Sequence, residues 1–143
     1  MKNIIFIICL IFTISSCKNR SDSSEDTVIP MPKEFAGKWK IIEVCEGGTG
    51  TTTSPYCNWV SYDSGKHYDI QYNTNGTFYD NLAISNCSKG IFYFSDSFNI
   101  LYIKNQCQNK ESNTKIISLT NNEMITYDSL FEGINTKYQK ITE

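Results

Sequence analysis

Between Trp39 and Glu143 the chain is a succession of short runs rich in Ile, Tyr, Phe and Thr, separated by clusters of Gly, Asn, Asp and Ser. No stretch sustains the 3.6-residue period of an amphipathic helix, so the runs read as strands. There are eight, over residues 38–46, 67–73, 76–84, 90–96, 98–106, 114–120, 123–129 and 136–142. What constrains the fold is the rhythm of their connections. The second and third runs meet across Asn73-Thr74-Asn75-Gly76, the fourth and fifth across Ser95-Asp96-Ser97, and the sixth and seventh across Thr120-Asn121-Asn122-Glu123, while the other connections are long. In an antiparallel meander every second connection lies at the same end. The pattern predicts an all-β fold, an eight-stranded antiparallel up-and-down barrel with one end closed by tight turns and the other carrying the long loops.

The N-terminus has a different character. Met1-Lys2-Asn3 leads into an apolar run, residues 4–12, of signal-peptide length rather than membrane-spanning length. Ile14-Ser15-Ser16-Cys17 follows, and this junction resembles the lipobox of bacterial lipoproteins. The resemblance implies cleavage before Cys17 and acylation of its thiol, which makes residues 1–16 a lipoprotein signal peptide. Residues 17–33 are then the lipidated cysteine and a polar, proline-punctuated tether, and residues 34–143 the barrel domain. Of the thirteen basic residues only Lys2 lies in the leader, and none of the fifteen acidic ones does, so the remaining 127 residues carry a formal charge of −3. That balance speaks against a nucleic-acid partner. The expected partner is the membrane, through the lipid alone, for a monomer on the outer membrane of a bacterial envelope, facing the periplasm or the surface.

Once Cys9 leaves and Cys17 is acylated, Cys45, Cys57, Cys87 and Cys107 remain. In an oxidising compartment two disulfides are the default, and the separations contain no Cys-x-x-Cys knuckle of the kind a zinc site uses. All four fall at the long-loop end. Around a hairpin centred between Asp96 and Ser97, Cys87 and Cys107 stand opposite each other, which favours Cys87–Cys107 and leaves Cys45–Cys57 to close the first long loop.

The segment Phe35-Ala36-Gly37-Lys38-Trp39 resembles the Gly-x-Trp opening of lipocalins, most closely that of short lipocalin-like lipoproteins of the Bacteroidetes. Tyr72-Asn73-Thr74-Asn75-Gly76-Thr77-Phe78 and the segment from Lys115 to Met124 are similar to two further hairpins of that family. The resemblance implies that Gly37 turns the chain into the first strand, that Trp39 plugs the closed end, and that Lys140 takes the place of the arginine that lipocalins lay across the tryptophan. It also implies a small hydrophobic or amphipathic ligand inside the barrel.

Alternation along the strands gives a candidate inward set: Tyr68, Ile70 and Tyr72; Phe78, Leu82 and Ile84; Phe92 and Phe94; Phe98, Ile100 and Tyr102; Ile117 and Leu119; Ile125 and Tyr127; and Tyr138. From it Tyr68, Ile70, Phe78, Phe92, Phe94, Ile100, Tyr102 and Tyr127 are the expected ligand contacts. An eight-stranded barrel is just wide enough either to be filled by such side chains or to hold one small ligand. If it is filled, the alternative is an interaction module that presents Tyr56 and Trp59 of the first long loop to a protein or glycan. No enzyme, metal or cofactor is expected: His67 is the sole histidine, and no phosphate-binding loop is present. Replacing Cys17 by alanine is expected to abolish fatty-acid labelling and membrane fractionation; a variant that still sediments with membranes overturns the anchor.

Overall fold

The computed structural model describes residues 31–46, 57–83, 87–108, 110–129 and 133–142. Cys17, Tyr56 and Ile84 lie outside the described residues. Every described element is a strand: β1 Gly37–Glu46, β2 Val60–Ser61, β3 Ile70–Tyr72, β4 Thr77–Asp80, β5 Lys89–Phe94, β6 Ile100–Asn105, β7 Ser112–Leu119, β8 Glu123–Asp128 and β9 Ile134–Ile141. Antiparallel pairing runs in chain order from β3 to β9, with β1 beside β3, and the β1–β9 ladder closes the sheet into an eight-stranded up-and-down barrel. All eight predicted runs are present. The addition is β2, too short to carry a periodic signal.

Closure rests on β1. One edge of it pairs with β9 from Lys38 opposite Ile141 to Glu46 opposite Ile134, with a bulge between Ile41 and Glu43. Its other edge is shared. Gly37 to Trp39 pair with β3, and farther along Glu43 and Val44 pair with β2. Between these two ladders Asp69 takes over the hydrogen bonding. Its amide donates to the Trp39 carbonyl (2.8 Å), and its carboxylate accepts from the Ile41 amide (2.7 Å) and from the Ser64 hydroxyl. Asp69 is 1 % exposed, so these bonds are what make its burial tolerable.

The closed end is stopped by Phe35 together with Trp39. Phe35 is fully buried, with its ring 4.2 Å from that of Tyr72, 4.8 Å from Phe94 and 5.4 Å from Phe92. The Trp39 indole donates to the Phe35 carbonyl at 2.8 Å. Lys140 Nζ stands 5.2 Å from the Trp39 ring centre and donates to the Glu34 carbonyl at 2.6 Å, so one lysine holds both the indole and the segment that carries Phe35. Gly37 has φ +137°, and a Cβ there would lie 2.6 Å from Lys140 Cε. A side chain at that position would displace the lysine. At the other end of the core, a Cβ on Gly90 would run into the Lys104 carbonyl and the Phe78 ring.

The cysteines pair as the hairpin geometry favoured. Cys45–Cys57 and Cys87–Cys107 have Cα separations of 5.6 and 5.1 Å. Replacing Phe35 by alanine is expected to cost about 3–5 kcal/mol in denaturant unfolding, as removal of a fully buried aromatic does. A loss under about 1 kcal/mol would show that Phe35 is not part of the cooperative core.

Candidate binding site

Strand register fixes which side chains point inward. The core residues Trp39, Leu101, Ile116 and Met124 set the parity. Pairing of Val44 with Thr136, Thr136 with Thr126 and Thr126 with Ile116 extends it toward the long-loop end. Burial then falls toward the long loops along the inward rows of β1, β3 and β6, and from Ile116 in β7. Tyr72, Leu101, Ile116 and Trp39 are 0–8 % exposed, whereas Ile70, Ile103, Thr114 and Val44, two or more positions farther up the same strands, are partly open to water. In the long-loop half, Ile70 and Ile103 line the interior above Phe78 and Phe92 and pack against the core while partly exposed.

Polar groups also face the interior. Thr126, Thr136 and Tyr138 face inward from β8 and β9, and both threonine side chains lie within hydrogen-bonding reach of the Tyr138 hydroxyl. Asp80 faces in from β4, opposite Ile70; its Oδ1 accepts from the amides of Leu82 (2.8 Å) and Ala83 (3.1 Å). Asn105 is the last inward residue of β6, and its Oδ1 is buried without a hydrogen-bond partner among the described residues. Burial pushes the Tyr138 phenol up to about 12, with the negative charges of Asp80 and Asp69 adding to the effect. Burial likewise pushes Tyr72 well above the ordinary tyrosine range. Both remain neutral hydroxyls, able to donate as well as accept.

Of the eight expected ligand contacts, Ile70, Phe78, Phe92 and Phe94 point inward, the phenylalanines as floor. Ile100 and Tyr102 do not. Phe98 packs inward against Phe94 at 5.9 Å but sits at φ +56°, so the period-two count does not carry from it into β6. Leu101 and Ile103 take the inside, and Tyr102 stacks on Tyr93 on the outer face, ring centres 4.9 Å apart. Tyr127 is outward because Met124 and Thr126 occupy the inner row of β8. Tyr68 precedes β3 and lies outside, with Lys38 Nζ 5.4 Å from its ring centre. In β7 a bulge between Ile116 and Ser118 puts Ile116 and Leu119 inside and displaces the expected Ile117. The inward threonines, Asp80 and Asn105 escaped the sequence reading because it searched for apolar alternation; the rows of Met124 and Tyr138, counted through polar positions, contain Thr126 and Thr136.

At the first long loop Trp59 is half-buried, and Lys137 Nζ lies 4.7 Å from its ring centre while pairing with Glu43. His67 is exposed beside Tyr68, and among the described residues no group of three His, Cys, Asp or Glu side chains could hold a metal ion. Comparison of the chain with family models, with curated proteins and with solved structures returns no match, so the site is argued from its own geometry.

The tyrosines supply a pH test. A phenol raised from 10.0 to about 12 in the folded state favours folding fully below pH 10, and that contribution is lost as pH rises through about 12. Stability is therefore expected to fall between pH 10 and 12, and Tyr138→Phe to reduce the fall, measured by denaturant midpoints across that range. Equal pH dependence in the variant and the parent would show that partial burial of Tyr138 does not hold its proton.

Proposed function

We propose that this chain is a lipid-anchored protein of the bacterial envelope whose lipocalin-like barrel binds one small amphipathic molecule in a cup in its long-loop half, without catalysis. The observation that carries this reading is the burial gradient along the inward rows: apolar wall residues such as Ile70 and Ile103 stay partly wet above a sealed aromatic floor. Such a cup takes an apolar body onto Phe78 and Phe92 and a donor group to the Asn105 Oδ1 or the Asp80 carboxylate. The closed barrel, the plug of Trp39 and Lys140 over its indole support the lipocalin-like assignment.

The anchor then sets the orientation. Residues 31–36 join the barrel at its closed end, so a tether running back to Cys17 points the closed end at the bilayer and the cup away from it. The alternative, an interaction module reading a protein or glycan through Trp59, draws on the position of that ring beside the Cys45–Cys57 disulfide; Lys137 over the ring reduces what it offers a partner.

The test is titration of the full-length protein with a hydrophobic fluorescent probe. One-to-one saturable binding is expected, weakened about tenfold or more by Ile103→Trp, which fills the cup, and unchanged by Tyr102→Ala on the outer face. Binding that Ile103→Trp leaves intact, or none in a folded protein, would move the function to the first-loop surface.

A further inference from the structure

We infer that the outer face of β7 is a second binding site, independent of the cup, for an acidic oligosaccharide. Two clefts of about 330 and 230 Å³ adjoin there and share Asn113 and Ser129. Together they run along β7 from Asn99, in the turn before β6, to Gln108 and Lys110, in the connection that follows it. Register explains the floor. Asn113 lies opposite Tyr102, and Lys115 lies opposite both Ile100 and Tyr127, so these side chains project outward from adjacent strands. Three of the residues misread as barrel lining are thus brought together outside the barrel.

The chemistry of the trough selects its ligand. Planar amides at Gln108 and Asn113 carry a donor and an acceptor side by side, which suits neighbouring hydroxyls on a sugar ring. Tyr127, in the lining of the second cleft, adds aromatic surface with a polar tip for the apolar faces of the same rings. Lys110 and Lys115 line the clefts against one acid, Glu111, whose carboxylate accepts from the Tyr93 hydroxyl at 2.5 Å, so the lining carries a net positive charge. On a chain of negative net charge this marks a preference for carboxylate-bearing sugars. A peptide added as an extra strand is ruled out, because β7 is already paired on both edges, with β6 and β8. Two lysines are too few for the phosphate density of a nucleic acid.

The experiment is calorimetric titration of the full-length protein, in mild detergent, with a short galacturonate oligomer, the uncharged galactose oligomer of the same length, and inorganic polyphosphate. Saturable binding of the uronate is expected, about tenfold or more weaker for the neutral oligomer and for Lys115→Gln with Asn113→Ala, and unaffected by Ile103→Trp. Lys115→Gln alone, at an exposed position, serves if the double variant does not fold. Polyphosphate binding as tight as the uronate would reduce the site to bare charge and overturn the assignment. So would binding that survives both substitutions, or no saturable binding in a protein that still takes up the hydrophobic probe. Loss of probe uptake with uronate binding retained would instead strike the cup and leave this site standing.

Discussion

The ladder between β1 and β9 is the interaction on which the rest of the structure depends. A sheet of this size with two free edges would expose unpaired backbone groups along both, and joining the first strand to the last removes them. The geometric demand this makes is met at β1, which serves β9 along one edge and divides the other between β3 and β2. Where β3 has left and β2 has not yet begun, the backbone needs another acceptor, and the buried carboxylate of Asp69 supplies it. A carboxyl group at 1 % exposure is thus part of the closure.

Closure also creates the two halves of the interior. The closed end must be stopped by side chains, and Phe35, Trp39 and the phenylalanines of β4 and β5 fill it with rings at tilted or edge-on angles. Above them the lining takes in Thr114, Thr126 and Thr136 together with Asp80 and Asn105, which need polar company.

Much of this architecture is legible in the sequence, and the failures have identifiable causes. The alternation of tight turns with long loops gives strand number, topology and cysteine pairing, because all three depend on chain length between reversals. Gly37, Trp39 and Lys140 form the expected group at the closed end. Facing fails where the period of two is interrupted: at Phe98, whose positive φ restarts the count, and at the β7 bulge, which brings both Ile116 and Leu119 inside. It also fails in β8, where Met124 and Thr126 take the inner row rather than the more aromatic pair Ile125 and Tyr127. Ile125, opposite Lys137, and Cys45, in the Cys45–Cys57 disulfide, are buried all the same, on the outer face. A sequence reader that equates burial with the barrel interior assigns such residues to the wrong side.

The way Lys140 grips the Glu34 carbonyl has a mechanical consequence. A pull on the chain from its N-terminal side reaches residues 31–36 before it reaches any strand, and is resisted first by this hydrogen bond and by the seat of Phe35 among three other rings. Only after that seat yields does load pass into β1, where it is directed along the strand and must shear the whole β9 ladder at once rather than unzip it bond by bond. The plug is therefore the weak link placed ahead of the strong one, and tension would open the floor of the barrel while its wall remained intact.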